Sequence, residues 1–492
     1  MKLNVKRTFL VGFAFLIISL FWQVYDGTMS IILVTHFGLN QAWSGVLLAL
    51  DNLLALFLLP LFGAWSDKTV TKYGKRKPYI LIGTIVAAVV FVLLAVVDFY
   101  QLQAMHAADI SNVLQDAISG NYYFTVGAIT QITDPVREVV STARADYIFA
   151  NITQTNWYFL ATFIGILFIV LMAMCSFRTP AVSLMPDVVI KPHRSKANAI
   201  INAMGTIGGG LSLGSIAIVG TMKQANYETF SFLPLFAVTA GLMLVLLAVF
   251  MFVVKEVKWS EEMRRQSIEL GVETAETENV AKGTKGEKMP KDVRKSFLLI
   301  LASVVLWFFS YNAASSKITL YSTEVLGIEN YSLPVMIGFV AALIAFYPVG
   351  IISTKIGRRT TIMGGIGILI LGFIFGFVAG IAFFPGWLVF VAMAFVGVGW
   401  AAINVNSYPM VVEMSHGANI GVYTGYYYSA SMFAQILTPI ISGLIMDAVG
   451  MRWSLFPYSI IFAVAALVTM FFVKHGEAKK LEPIKPAEEI QK

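Results

Sequence analysis

Cysteine is almost missing from this chain. Cys175 is the single one among 492 residues, which excludes an intrachain disulfide and gives no support for a thiolate metal site. Histidine is scarce too. The five, His36, His106, His193, His416 and His475, are scattered and form no ligand spacing for a metal. Charged residues make up only 13% of the chain. No Ser/His pair, metal-ligand cluster or nucleotide-binding glycine loop stands in a supporting context, so neither a membrane enzyme nor a resident cofactor is expected.

Apolar residues take the space that charge leaves. They are 58% of the chain, and mean hydropathy is +0.76. A soluble chain of this length would have too little polar surface to cover such a core. The apolar residues come in runs of about 20, the length that crosses roughly 30 Å of hydrocarbon as a helix. The runs predict spans at 9–33, 43–66, 77–98, 157–186, 196–219 and 231–254, then 296–320, 334–354, 359–382, 386–411, 420–446 and 452–473. The expectation is an all-α membrane protein in two sets of six helices. Domain boundaries follow: 1–254 with an insertion at 99–156, a linker at 255–295, and 296–492 with a C-terminal tail.

Cations gather on one side of these spans. Lys2, Lys6 and Arg7 precede the first; Lys68, Lys72, Lys75, Arg76 and Lys77 follow the second; Lys191, Arg194 and Lys196 follow the fourth; Lys355, Arg358 and Arg359 follow the eighth. The opposite side holds Asp98, Asp109, Asp116, Asp134, Glu138 and Asp146 against Arg137 and Arg144. Cationic loops stay in the cytoplasm, so both termini are expected there, in a multi-pass protein of the cell membrane. The formal charge of +7 is explained by these membrane ends and their lipid headgroups. It does not form the concentrated basic groove that a nucleic acid needs. The first run continues past Ile31 without a small-residue cleavage site, which favours an uncleaved span.

The linker alternates acids and bases, and 258–270 is expected to form an amphipathic surface helix. The insertion carries Tyr122, Tyr123, Phe124, Tyr147 and Phe149 with Trp157 at its end. It reads as surface helices resting on the bundle, with a cap over the outer mouth as the alternative.

Polar groups inside apolar spans are costly and mark cavities or partners. Asp26 shares a helical side with Trp22, and Asp51 is followed by Asn52, at a depth that suits a pair of carboxylates able to take up a proton; an acid at a helix cap or in a water-filled outer vestibule is the alternative for Asp51. Arg178 precedes Pro180 in CSFRTP and stays charged when buried. It either pairs with a carboxylate, donates to a ligand, or ties two helices together. Asn312 with Ser316, Asn404 with Tyr408 in WAAINVNSYP, and Tyr427 with Gln435 add amides and aromatic rings. Pro409 frees backbone groups beside them. Hydroxyl-binding groups next to flat apolar surfaces suit a carbohydrate.

The run DKTVTKYGKRKP at 67–78 has a shorter echo, KIGRR, at 355–359. Two halves that share a basic turn between apolar helices point to a duplicated transporter. Asp67 and the cations around it, with Gly63 and Gly74 allowing close approach, read as a charge latch between bundles. Headgroup anchoring by the same cations is the alternative.

GAWSDKTVTKYGKRKP resembles the second-to-third helix motif of the major facilitator superfamily, and GIISTKIGRR resembles its second-half counterpart, with Thr354 where the pattern favours an acid. SFRTPAVSLMPDVV followed by RSKANAIINAMGTIGG is similar to the fourth-to-fifth helix region of its sucrose-proton and glycoside carriers. The resemblance implies twelve transmembrane helices in two six-helix bundles around a polar cavity. It implies a central ion-pair or substrate-coupling role for Arg178 and a helix-end acid role for Asp187. The expected activity is proton-coupled symport of a sugar, a disaccharide or glycoside, by alternating access; sodium coupling and export of an amphiphilic compound are the alternatives. Substrate contacts are expected at Trp22, Asp26, Asn52, Asn312, Asn404, Tyr408, Tyr427 and Gln435. Ion coupling is expected at Asp26, Asp51 and Arg178, and gating at Asp67, Arg76, Asp187, Arg358 and Arg359. A monomer is expected.

Overall fold

The computed structural model of the protein describes residues 3–108, 145–222, 231–270, 290–328, 332–381, 385–415 and 419–477. Its elements are helices: α1 (Val5–Ile31), α2 (Gln41–Lys68), α3 (Lys77–Ala107), α4 (Trp157–Val188), α5 (Arg194–Met222), α6 (Leu233–Val253) and α7 (Glu256–Glu269), then α8 (Lys291–Leu320), α9 (Ser332–Ile356), α10 (Arg358–Ala379), α11 (Leu388–Glu413), α12 (Ile420–Val449) and α13 (Met451–Phe471). Helices close their own backbone hydrogen bonds, which is what a chain this apolar requires in hydrocarbon.

Local signals set several ends. Asn4 accepts from the Arg7 N–H at the start of α1, and Asn40 accepts from the Trp43 N–H at the start of α2. Pro78 sits in the first turn of α3, where its missing N–H costs nothing. Gly357 at φ +96° and Gly450 at φ +88° join α9 to α10 and α12 to α13 in conformations that side chains resist.

In the first half α1 packs on α5, and α3 packs on α4 and α6. In the second half α11 packs on α9 and α10, and α8 packs on α12 and α13. The halves meet where α2 and α4 touch α12, and where α5 touches α9 and α11. At the α2–α12 contact Gly63 and Gly421 bring backbone against backbone, so a methyl group on either would meet the other's carbonyl.

Among the described residues, eleven helices are long and apolar enough to cross a membrane. The twelfth expected span, 196–219, falls on the helix α5, which lines the cavity with Asn202, Thr206 and Gly209 and packs on α1. Helix α3 runs nine residues beyond the expected end at 98. Asp98 does not stop it, because the carboxylate is fully buried and meets His36 Nδ1 at 2.6 Å.

The insertion therefore starts as helix. Its far end, with a π-helical turn at Ile148–Thr153, packs on the bundle: Gln101 donates to Thr153, and Thr153 donates to the Phe37 carbonyl at 2.9 Å. Tyr122, Tyr123 and Phe124 lie outside the described residues, as do His416, linker residues 271–289 and the tail from 478. The amphipathic helix expected at 258–270 is α7. It is tied to the start of α1, where Arg7 lies over the Trp259 ring and pairs with Glu262 at 2.5 Å.

Candidate functional site

A cavity of about 630 Å³ lies between the halves, within the roughly 300–1,000 Å³ typical of small-solute sites. Its charged lining is Asp26, Asp51 and Arg178, all from the first half. The second half supplies a neutral wall in which Tyr311, Trp400, Asn404 and Gln435 stand out.

Helical spacing builds the wall of the first half. Ser19, Trp22, Gln23 and Asp26 recur at three- and four-residue steps on α1, and Asn202, Thr206 and Gly209 do so on α5. Asp26 is exposed to the cavity and Asp51 is partly exposed. Asp51 Oδ1 accepts its neighbour's Asn52 N–H at 2.5 Å. Both carboxylates lie within the electrostatic reach of Arg178. The guanidinium itself is held by rings: it lies 5.5 Å from the Trp22 centroid and 5.0 Å from that of Tyr428. Tyr428 belongs to the second half, so one cation of the first half touches both. Across the cavity Tyr311 and Trp400 stack at 3.8 Å and 5°, a rigid aromatic plate.

The structure brings Trp22, Asp26, Asp51, Asn52, Arg178, Asn404 and Gln435 to one cavity. It does not bring three other expected contacts there. Tyr408 is buried with its hydroxyl on the Val182 carbonyl at 3.1 Å, Tyr427 is buried with its hydroxyl 2.9 Å from Ser407, and Asn312 does not line the space. The four-residue spacing that paired Tyr408 with Asn404 is real, but the lower turn points into the contact between halves. Sequence reasoning passed over Ser19, Gln23, Asn202, Thr206 and Trp400. The signal was the same helical spacing, interrupted on α5 by glycines.

Below the cavity, at the end that carries the basic turns, the halves are fastened. Arg76 is fully buried, donates to Asp187 at 2.8 Å and Asp67 at 2.5 Å, and also donates to Ser66. Burial by itself would weaken its hold on a proton, but the Asp187 and Asp67 carboxylates more than offset this and hold its pKa above the usual arginine value. Asp67 also accepts the N–H groups of Gly421 and Val422 at 2.9 and 3.0 Å. It thus caps the N-terminus of α12 from the opposite half. Lys75 pairs with the other Asp187 oxygen at 2.9 Å.

The second half repeats the device with a different acid. Position 354 is threonine, but Arg358 finds Glu413 at 3.0 Å, and it crosses to the first half to reach Ser195 at 3.0 Å and the Lys191 carbonyl at 2.6 Å. The missing acid of the motif therefore does not remove the second latch. Arg359 stays within its own half, on the Met470 and Phe471 carbonyls. Both basic turns carry a glycine at positive φ with a glutamate against it: Gly74 with Glu256, and Gly357 with Glu477. Glu256 accepts the N–H groups of Lys75, Arg76 and Lys77, and Glu477 accepts those of Arg358 and Arg359. Burial pushes the Glu256 carboxyl up, and the donated N–H groups oppose it. Neither glutamate was visible as a partner in the sequence, because each follows the last long helix of its half.

A family model for the major facilitator superfamily matches residues 147–429 and again 332–491. The chain belongs to this superfamily. A second family model, described as MFS/sugar transport protein, matches residues 10–108. The sucrose transport proteins SUC3 and SUC4 of Arabidopsis thaliana are similar over short segments, 32% identical over 57 and 77 residues. Those segments cover 12% and 16% of this chain and only 10% and 13% of the relatives. Among solved structures, the proton:xylose symporter XylE aligns with a TM-score of 0.63 at 16% identity, covering 97% of this chain and 98% of that one. A bacterial homologue of the iron transporter ferroportin, in its outward-facing state, aligns at 0.62 and 13%, covering 95% and 99%. At such identities the agreement is one of fold. A superfamily member with a cavity between two helical halves is a transporter and not an enzyme. Among the described residues no group of three or more His, Cys, Asp or Glu gathers to hold a metal ion.

Proposed function

We propose that this chain is a proton-coupled symporter of a neutral sugar, a disaccharide or glycoside, that works by alternating access in the cell membrane with both termini in the cytoplasm. The observation that carries this reading is the charge balance of the cavity. Two carboxylates, Asp26 and Asp51, face one arginine, Arg178. With both acids ionised the lining carries one uncompensated negative charge, and a single proton on either carboxyl neutralises it. A cavity closing around a neutral solute gains from that neutralisation, since charge enclosed away from water is costly.

The opposite wall suits a sugar. The Tyr311–Trp400 plate offers a flat apolar face with the amides of Asn404 and Gln435 beside it for hydroxyls, and Gln23 and Asn202 of the first half add two more. Trp22 of the first half lines the same space. The similarity to plant sucrose transport proteins and to the fold of a proton:xylose symporter agrees with this class.

In the cycle, the state described here is closed at the basic end. Proton and sugar enter from the other side. Neutralising Asp26 or Asp51 changes the field at Arg178, whose guanidinium also rests on Tyr428 of the second half, and this couples protonation to the movement between halves. Arg76 with Asp67 and Asp187, and Arg358 with Glu413, then release the basic end.

The test is uptake by the purified protein in liposomes, with mono- and disaccharides offered under separate proton and sodium gradients. Accumulation driven by the proton gradient alone supports the proposal. A strict sodium requirement replaces the coupling ion with sodium at the same carboxylates. No sugar uptake under either gradient by folded protein overturns the substrate class.

A further inference from the structure

Three proline residues sit where the halves touch: Pro60 in α2, Pro186 in α4 and Pro409 in α11. Proline has no N–H, so it cannot donate to the carbonyl four residues earlier in its helix. The carbonyls left without that donor are those of Leu56, Val182 and Val405. Each of them accepts from a side chain of the opposite half. Ser429 donates to Leu56 O at 2.6 Å, Tyr408 donates to Val182 O at 3.1 Å, and Asn198 donates to Val405 O at 3.0 Å. The arrangement is reciprocal: two carbonyls belong to the first half and one to the second. Among the described residues, no side chain of the opposite half donates to the carbonyl of Ser176, Ile344, Gln435 or Trp453, which precede Pro180, Pro348, Pro439 and Pro457 by four.

We propose that Pro60, Pro186 and Pro409 make closure of the basic end a dock-or-wet switch, by creating backbone acceptors that only the opposite half or water can fill. When the halves are docked, Ser429, Tyr408 and Asn198 fill them. When the halves part fully, water enters and fills them instead. A slight parting that breaks the clasps but admits no water leaves three buried acceptors unsatisfied, the costly case for a backbone carbonyl. The prolines thereby penalise the half-open state and sharpen the transition between the two ends of the cycle. Tyr408, Ser429 and Asn198 are positioning residues here. The proposal holds whichever solute and ion are carried.

The single cysteine supplies a readout. Cys175 is 4% exposed and packs in a cluster with Ala55 and Leu59 of α2 and Met432 of α12, so opening the basic end uncovers it. The experiment measures alkylation of Cys175 by a small water-soluble maleimide in the full-length purified protein. Tyr408→Phe leaves Val182 O without a donor and raises the alkylation rate about tenfold, the scale of one lost buried hydrogen bond. Pro186→Ala returns a helical N–H to that carbonyl, so adding Tyr408→Phe in that background changes the rate less than about threefold. Ser429→Ala with Pro60→Ala repeats the cycle at a separate clasp and decides the matter where a Tyr408 variant does not fold. Equal effects in both backgrounds in these cycles, or no effect from either donor deletion, overturn the proposal. A purely structural role for the side chains predicts no such rescue by the alanine.

Discussion

Asp67 accepts the Gly421 N–H at 2.9 Å while holding Arg76 at 2.5 Å. One carboxylate thus joins the latch of the first half to the helix start of the second. Its loss is felt twice, as a lost helix cap and as a lost partner for a buried arginine. Asp67→Ala is expected to shift the protein toward the form open at the basic end by about tenfold, since a cap alone is worth ~1 kcal/mol. Spin-label distances between the ends of α2 and α12 read this shift, and an unchanged distribution would refute it.

The Arg76 cluster predicts an order of effects. Arg76→Gln strands Asp187 and Asp67 as buried acids with fewer partners and is expected to cost about 3–5 kcal/mol, the scale of a broken buried pair. Asp187→Asn leaves Arg76 its bond to Asp67 and is expected to cost less than half as much. Thermal unfolding of the two variants in detergent compares them. The reverse order would mean that Asp187, not Asp67, carries most of the compensation.

Replacing the cavity acids separates coupling from passage. Asp26→Asn and Asp51→Asn mimic protonated carboxyls, so the variant at the proton site is expected to exchange labelled for unlabelled sugar at equal concentrations yet fail to accumulate it against a gradient. Proton-driven accumulation at the native level in both variants would reject carboxylate coupling.

Solute recognition should follow the walls of the cavity. Trp400→Ala removes half of the stacked plate and is expected to raise the half-saturation concentration about tenfold, from a loss of ~1.5 kcal/mol, with the ion requirement unchanged. Tyr408→Phe is expected to leave that concentration within about twofold while changing the turnover rate, because its hydroxyl is committed to Val182 O across the interface. A large rise for Tyr408→Phe with none for Trp400→Ala would move the binding face to the lower turn of α11.

The sequence by itself determined the membrane class, the helical architecture, the repeat and most of the charged groups that matter. Burial of a charge in an apolar run is a local event that composition records, and this made Asp26, Asp51 and Arg178 visible. The repeated basic turn was equally local. What only tertiary structure decided is which groups meet across long separations. Glu256 and Glu477 close the two basic turns from the ends of distant helices. Glu413 replaces the acid missing at position 354. Tyr408 turns away from Asn404's cavity to the contact between halves. Asp98 remains helical because His36, 62 residues earlier, shares its burial. Each of these depends on how helices pack side by side, and helix packing brings together residues whose spacing in the chain carries no trace of their contact.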